Sequence, residues 1–429
     1  MGLQASSLRA DADAIIRAAI ADAMPDTAVL RALSEIQLGN RVYLVAVGKA
    51  AWPMAAAAQR VLGERLMGGA VITKYEHSRG EIPRVEIYEA GHPVPDENSF
   101  RATQRVLELV RPLGEGDEVV FLLSGGGSAL FEAPLVSGEE LQDVTRQMLA
   151  CGADIRQINT IRKRLSGVKG GRFAQICAPA KVHAIILSDV LGDAVDAIAS
   201  GPACPDPETA QTARDIVERY HLRLSDRARA LMDEETPKAL DNVETRIIGS
   251  VRQLCSSAEA TARSLGYKPV VLTADLCCTA RDAGSFLASI VRTHALSRES
   301  LAFIAGGETV VRITGSGLGG RNQELALAAA AGIDGLKDVC VFSVGSDGTD
   351  GPTDAAGGYA DGETRQQLMQ RGLRIEAVLE ENDSYHALKA CGGLIVTGAT
   401  GTNVNDLSVA LIKRGLGPEG REQWKRNTA

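Results

Sequence analysis

The chain has 429 residues, 45% hydrophobic and 4% aromatic, enough for about two or three domains each with its own core. Its 46 basic and 54 acidic residues give a formal charge of −8, which excludes a whole-chain field that would draw it to nucleic acid or anionic lipid and leaves small molecules as the expected partners. Eight cysteines form no CxxC pair and no Cys/His cluster at metal-ligand spacing, no run approaches the roughly 18 apolar residues of a membrane span, and no signal peptide is read at the start, so a cytoplasmic protein is expected.

In chain order, Ile15, Ile16, Ala19, Ile20 and Ala23 fall at helical spacing, and Pro25 interrupts that helix. VYLVAV, residues 42–47, is a short apolar run entering Gly48 and Lys49, followed by an Ala-rich helical stretch whose first turn accepts Pro53. The same order of strand, loop and helix returns at 119–123 before a glycine loop and at 182–187 before Ser188 and Asp189. Uniformly apolar strands alternating with helices predict a parallel sheet covered on both faces, hence a doubly wound α/β domain over residues 1–245. Residues 206–242 are charged and helical, punctuated by Pro207 and Pro237. Beyond them, strands are expected at 246–250, 270–274, 301–305 and 310–314, the last two close enough across Gly306-Gly307-Glu308 for a hairpin. A helix at 322–331 and strands at 339–344, 394–396 and 407–412 complete a smaller α/β domain with a mixed sheet, residues 246–429.

Several loops could carry chemistry. Lys49 stands where a buried strand hands over to a helix, a place that favours anions. SGGGSA, comprising Ser124, Gly125, Gly126, Gly127, Ser128 and Ala129, lets backbone approach a ligand closely or simply makes a tight turn. RKRLSGVKGGR holds five cations, Arg162, Lys163, Arg164, Lys169 and Arg172, which a solvated helix face ending in a glycine cap accounts for. Asp189, Asp193 and Asp196 follow a strand end, as ligands or as helix caps. GSGLGG, ending in Gly319 and Gly320, fits the GxGxxG dinucleotide pattern before a helix. Its strand closes the expected hairpin, however, and the next strand ends at Asp347, 27 residues past Gly320 where about 20 is expected, so the motif is read as positioning Arg321 and contacting substrate or phosphate, not as a nicotinamide site. Arg321 opens that helix against the dipole's preference, which makes sense beside a bound anion. Asp347, Asp350, Asp354 and Asp361 crowd a glycine-rich loop and suggest Mg²⁺ or a polyol, although Asp-Gly pairs are also common turn formers. Asn403, Asn405 and Asp406 make Asx turns or ligand contacts.

Taken together, AVGKAA, GHPVPDENS, LLSGGGSAL, SDVLGDAVDAIASGP, GGETVVRITGSGLGGRNQELAL, GSDGTDGPTDAAGG and TGATGTNVNDL resemble the glycerate 2-kinase family, whose C-terminal half is the MOFRL domain and some of whose members are labelled hydroxypyruvate reductases. One departure is visible: Ala399 stands where the family usually has proline, which loosens one loop. The resemblance implies a Rossmann-like N-terminal domain plus the smaller MOFRL domain. It further implies transfer of the γ-phosphoryl of ATP to the 2-hydroxyl of D-glycerate, with a divalent metal such as Mg²⁺, in a cleft between the domains. The family's proposed catalytic lysine and arginine match Lys49 and Arg321.

On that reading Asp189 orients the 2-hydroxyl or, with Asp193, holds the metal. Ser124, Gly125, Gly126, Gly127 and Ser128 on one side, and Gly319, Gly320, Asn322, Asp347 and Asp350 on the other, contact substrate or phosphate. The partners are then D-glycerate and a nucleotide, with neither nucleic acid nor membrane, and homo-oligomerisation stays open. Two alternatives remain open in the sequence: an NAD(P)H-dependent hydroxypyruvate reductase using GSGLGG, and a non-catalytic binding module.

Overall fold

The structure, a computed structural model, describes residues 7–188 and 195–414. Asp189 and Asp193 therefore lie outside the described residues. Internal contacts gather the chain into two units, one of residues 25–248 and the other of the chain up to Met24 together with everything from Gly249 onward. The sequence-based extents, 1–245 and 246–429, differ from this in the first helix, α1 (Leu8–Asp22). Its buried Asp11 accepts hydrogen bonds from Tyr267 Oη and Lys413 Nζ, both at 2.6 Å, which ties the helix to the later residues.

The unit of residues 25–248 runs α2 (Pro25–Ser34), β1 (Val42–Val47), α3 (Ala51–Leu62), β2 (Leu66–Lys74), β3 (Val85–Ala90), α4 (Glu97–Val110) and β4 (Glu118–Leu123). It continues through α5 (Gly127–Leu130), α6 (Gly138–Ala150), α7 (Ile155–Arg164), α8 (Arg172–Cys177), β5 (Lys181–Leu187), α9 (Ala210–Arg219), α10 (Asp226–Leu231) and β6 (Val243–Gly249). The sheet order is β3-β2-β1-β4-β5-β6, with β1 to β5 parallel. This is the expected doubly wound α/β arrangement, and its strand order reverses between β1 and β4, the point at which such sheets bind ligands beyond their carboxyl ends. Helices cover both faces, so β1 and β4 are buried almost throughout, which explains why they read as unbroken apolar runs. Behind the β4 loop, the rings of Phe121, Phe131 and Phe173 pack with centroids 4.6 to 6.0 Å apart.

The cationic stretch departs from the expected solvated face. Lys163, Arg164 and Lys169 are buried. Lys163 Nζ lies 3.0 Å from Asp206 Oδ1, Arg164 reaches Asp206 and Glu235, and Lys169 pairs with Glu132. Arg172 Nη1 donates to the carbonyls of Lys163 and Ser166, both at 2.6 Å. Internal carboxylates and carbonyls, which composition cannot reveal, compensate the desolvation of these cations.

The second unit contains α11 (Val251–Ser264), β7 (Lys268–Leu276), α12 (Ala280–Thr293), β8 (Leu301–Gly307), α13 (Arg321–Gly332) and β9 (Val339–Gly345). After them come β10 (Gly357–Asp361), α14 (Thr364–Gln370), α15 (Ile375–Glu380), α16 (Ser384–Ala390), β11 (Leu394–Ile395) and β12 (Asp406–Ile412). Its sheet order is β11-β10-β9-β12-β8-β7. Only β7 and β8 pair in parallel there, and the remaining neighbours are antiparallel, so the sheet is mixed as expected. The hairpin expected at 301–314 is not formed. Residues 310–314 make no strand: β8 is already paired with β12 on one side and β7 on the other, and Thr314 and Gly315 instead donate their N–H groups to Asn382 Oδ1 at 2.7 and 2.9 Å. No helix among the described residues is long and apolar enough to cross a membrane.

Candidate active site

At the switch point, β1 delivers Gly48 and Lys49 while β4 delivers SGGGSA. Ser124 fastens the two loops together: its buried Oγ accepts the Ala50 N–H at 3.1 Å, and the Lys49 N–H donates to Gly125 O at 2.9 Å. Both N–H groups at the start of α3 are thus used internally, so what Lys49 offers a ligand is its exposed ammonium. Gly126 has a φ of +90°, and a Cβ there would lie 3.1 Å from His92 Cδ2 and 3.3 Å from Lys49 Cγ. Only glycine leaves room for both side chains in that backbone conformation.

His92 comes from the GHPVPDENS segment and His77 from the loop after β2; neither was singled out from the sequence. His77 Nδ1 donates to Lys49 O at 3.2 Å, which fixes one face of that loop. Burial, helped by the positive charges of Lys49, Lys74 and His77, holds the His92 imidazole below its ordinary value. Neither Lys49 nor Lys74 has a carboxylate partner among the described residues. The carboxyl ends of β1 and β2 therefore present positive charge without a carboxylate partner among the described residues, beside the glycine-rich loop that follows β4, an arrangement that suits a polyanion.

In the other unit, Arg321 is the first residue of α13. Its Nε donates to Asp406 Oδ2 at 2.5 Å and its Nη2 to Asp406 Oδ1 at 3.0 Å, while Nη1 lies 3.2 Å from Glu308 Oε1. Asp406 is buried, and desolvation raises its carboxyl to about 6 even though Arg321 opposes the shift. Of the two readings open for Asp406, an Asx turn or a ligand contact, the geometry adds a third: it orients an arginine.

The GSGLGG glycines are explained by close packing. A Cβ at Gly315 or Gly317 would run into the backbone of Glu381, one at Gly319 into Ser384 Oγ, and one at Gly320 into Asp350. No strand precedes the motif, so the strand-to-helix turn that a dinucleotide fingerprint requires is missing. Asp350 is buried and accepts the N–H groups of Asn322 and Gln323 at 3.1 and 2.9 Å, thereby capping α13 from another loop. Asn322 is also turned inward, bonded to Asp350 and Ser343. Asp347 accepts the Thr349 N–H, Asp354 the Tyr385 hydroxyl, and Asp361 the Thr364 hydroxyl. The four aspartates thus have separate partners, and no three His, Cys, Asp or Glu side chains among the described residues converge on one cation position.

An α/β protein with a doubly wound sheet in one unit and a mixed sheet in the other is the class these features define. The chain matches the domain of unknown function DUF4147 over residues 11–233 and the MOFRL family over residues 301–406. It is 52% identical over 412 residues to the D-glycerate 2-kinase of Thermotoga maritima, covering 95% of this chain and 99% of that protein. To the glycerate 2-kinase of Pyrococcus horikoshii it is 41% identical over 400 residues, 89% of this chain and 90% of the relative. The crystal structure of glycerate kinase from Thermotoga maritima matches it with a TM-score of 0.92 at 51% identity, covering 95% and 99% of the two chains. The chain belongs to the MOFRL-containing glycerate 2-kinase family.

Proposed function

We propose that this chain transfers the γ-phosphoryl group of ATP to the 2-hydroxyl of D-glycerate, giving 2-phosphoglycerate in the cytoplasm. The observation that carries the reading is end-to-end similarity to the D-glycerate 2-kinase of Thermotoga maritima. The unpaired Lys49 at the switch point adds support. Phosphoryl transfer needs little covalent help from a protein; it needs alignment of donor and acceptor and neutralisation of the charge on the transferring group. Lys49 and Arg321 supply the neutralising cations. Gly125, Gly126, Gly127 and Ser128 form the ligand-facing loop, while Ser124 holds it to β1. On the other unit, Gly319, Gly320, Asn322 and Asp350 build the start of α13 and so aim Arg321, and Asp347 stands just after β9.

Mg²⁺, when bound, would neutralise part of the phosphate charge and so lower its repulsion toward the incoming hydroxyl. It is commonly held by one or two carboxylates together with phosphates, so a cluster of three acidic residues is not required. Asp189 and Asp193 are the carboxylates we assign to it from the sequence, with orientation of the 2-hydroxyl as a second role for Asp189. The test is an assay with ATP, Mg²⁺ and D-glycerate in which the phosphoglycerate isomer is identified. Formation of 2-phosphoglycerate is expected; the 3-isomer, or no ADP at all, would overturn the reading.

A further inference from the structure

Four of the five cations in RKRLSGVKGGR have ion-pair or hydrogen-bond partners inside the 25–248 unit, as described above, although Arg164 keeps its Nε and Nη1 without a hydrogen bond. The fifth, Arg162, is different. Among the described residues it has neither an ion-pair partner nor a hydrogen bond, although its immediate neighbours in sequence, Lys163 and Arg164, have several. It is nevertheless partly buried, and burial pushes its guanidinium below the ordinary value with only the charge of Glu132 opposing. Glu132 itself is bonded to Lys169 and does not reach Arg162. A partly desolvated cation without a counter-charge costs folding free energy, and a ligand anion would remove that cost.

Its position says which ligand. Arg162 lies three residues beyond Asn159 on α7, so the two side chains share one face of the helix. Asn159 Oδ1 accepts a hydrogen bond from Ser200 Oγ at 3.0 Å, and Ser200 Oγ is 3.2 Å from Ser128 Oγ in the SGGGSA loop. The polarity of this relay is fixed by chemistry. An amide oxygen only accepts, so the single hydroxyl proton of Ser200 goes to Asn159, and Ser200 must accept from Ser128. Ser128 has then used its own proton and presents only lone pairs to anything in front of it. The relay is held by unusual backbone: Ala199, Ser200 and Gly201 have φ of 50, 61 and 63°, and the Ala199 methyl fills the space where a Cβ on Gly127 would go.

We propose that Arg162 and Ser128 form the acceptor subsite, Arg162 binding the carboxylate and Ser128 accepting a hydrogen bond from a hydroxyl of the same molecule. The assignment rests on the kinase reading above. A nucleotide phosphate could supply the same negative charge to Arg162, but its oxygens would meet the lone pairs of Ser128, whereas a hydroxycarboxylate matches both groups. The subsite therefore selects hydroxy acids over neutral polyols and over carboxylates lacking the hydroxyl.

The test compares wild type with Arg162→Met, Arg162→Lys and Ser128→Ala. Loss of a charge-assisted contact predicts that Arg162→Met raises KM for D-glycerate by about 30-fold or more, with KM for ATP within about twofold. Arg162→Lys should recover part of the loss, and Ser128→Ala should weaken D-glycerate more than a carboxylate without a hydroxyl. Because Arg162 has no internal partner, Arg162→Met should melt at or above the wild-type temperature. A lower melting temperature with both KM values unchanged would show that Arg162 serves the Glu132–Lys169 pair and would overturn the proposal. A rise in KM for ATP instead would assign the cation to phosphate and overturn it equally. Calorimetric titration of wild type and Arg162→Met with D-glycerate, glycerol and inorganic phosphate asks the same question without turnover. Wild type that binds D-glycerate but not glycerol, with binding lost in the variant, supports the subsite even if the kinase assay fails; equal binding by both proteins defeats the subsite even if the assay succeeds.

Discussion

Arg321 grips Asp406 at two points, Nε to Oδ2 at 2.5 Å and Nη2 to Oδ1 at 3.0 Å, and so cannot rotate about its own end. Two of its five guanidinium donors are engaged by Asp406, and Nη1 lies 3.2 Å from Glu308 Oε1 as a further ion pair. A pre-oriented charge of this kind needs no reorganisation when negative charge develops in front of it. Asp406 is then a positioning residue.

Its raised carboxyl gives this a pH signature. Asp406 is shifted up to about 6 by burial, so as pH falls through 6 it becomes neutral and its grip on Arg321 weakens. We expect kcat to fall on that acid limb in wild type and to be low and flat there in Asp406→Asn. The stability sign is opposite. A carboxyl raised in the folded state contributes stability that is present below its unfolded value near 4 and is lost as pH rises through about 6. Asp406→Asn should therefore melt no lower than wild type at pH 7, and a variant that loses both activity and several degrees of melting temperature would contradict the positioning role.

The sequence reveals strands where both faces are covered by helices, because their composition is then uniformly apolar, as in VYLVAV. It hides those whose glycines imitate loops. β10, GGYAD, is a central-sheet strand in which a Cβ at Gly357 would strike Ser343 O, and the Gly69 position in β2 is closed in the same way by Leu44 O. Lys49 and Arg321 are legible because each is a charge at a strand or helix end, where backbone geometry restricts what it can do. Asp350 and Arg164 are misread for the opposite reason: their partners lie 27 and more residues away, and only the folded chain shows that Asp350 caps α13 and that Arg164 meets Asp206. His92 could have been found from the long fixed-order segment that contains it, but nothing in its spacing says that it faces Lys49.

The Lys169–Glu132 pair gives a stability prediction. Both groups are buried, desolvation depresses the lysine, and Glu132 and Phe131 O are its partners among the described residues. Removing one partner strands the other, so Glu132→Ala should cost about 3 to 5 kcal/mol in urea unfolding, whereas Glu132→Leu combined with Lys169→Met should lie near wild type. A single variant as stable as wild type would show that water reaches the pair.

Gly126→Ala tests the contact between Lys49 and the glycine loop. The left-handed φ of +90° is unfavourable for alanine, and its methyl would press on His92 and Lys49. We expect a loss of about 1 to 2 kcal/mol in stability and a disproportionate fall in kcat as the lysine is displaced. Unchanged kcat with the stability loss would mean that Lys49 is not held by this loop.

Removing the two cations tests the proposed chemistry. Lys49→Met and Arg321→Met should each lower kcat by at least about a hundredfold, since each takes away a charge that stabilises the transferring phosphoryl group more than the bound substrate. KM for D-glycerate should change much less than kcat, which distinguishes loss of transition-state stabilisation from loss of ground-state binding. If both cations act on the same group, the double variant should fall by less than the product of the single losses, because the second removal acts on a reaction already deprived of its main stabilisation. Multiplicative losses would assign Lys49 and Arg321 to separate steps, and activity within a few-fold of wild type in either single variant would remove that residue from the catalytic assignment.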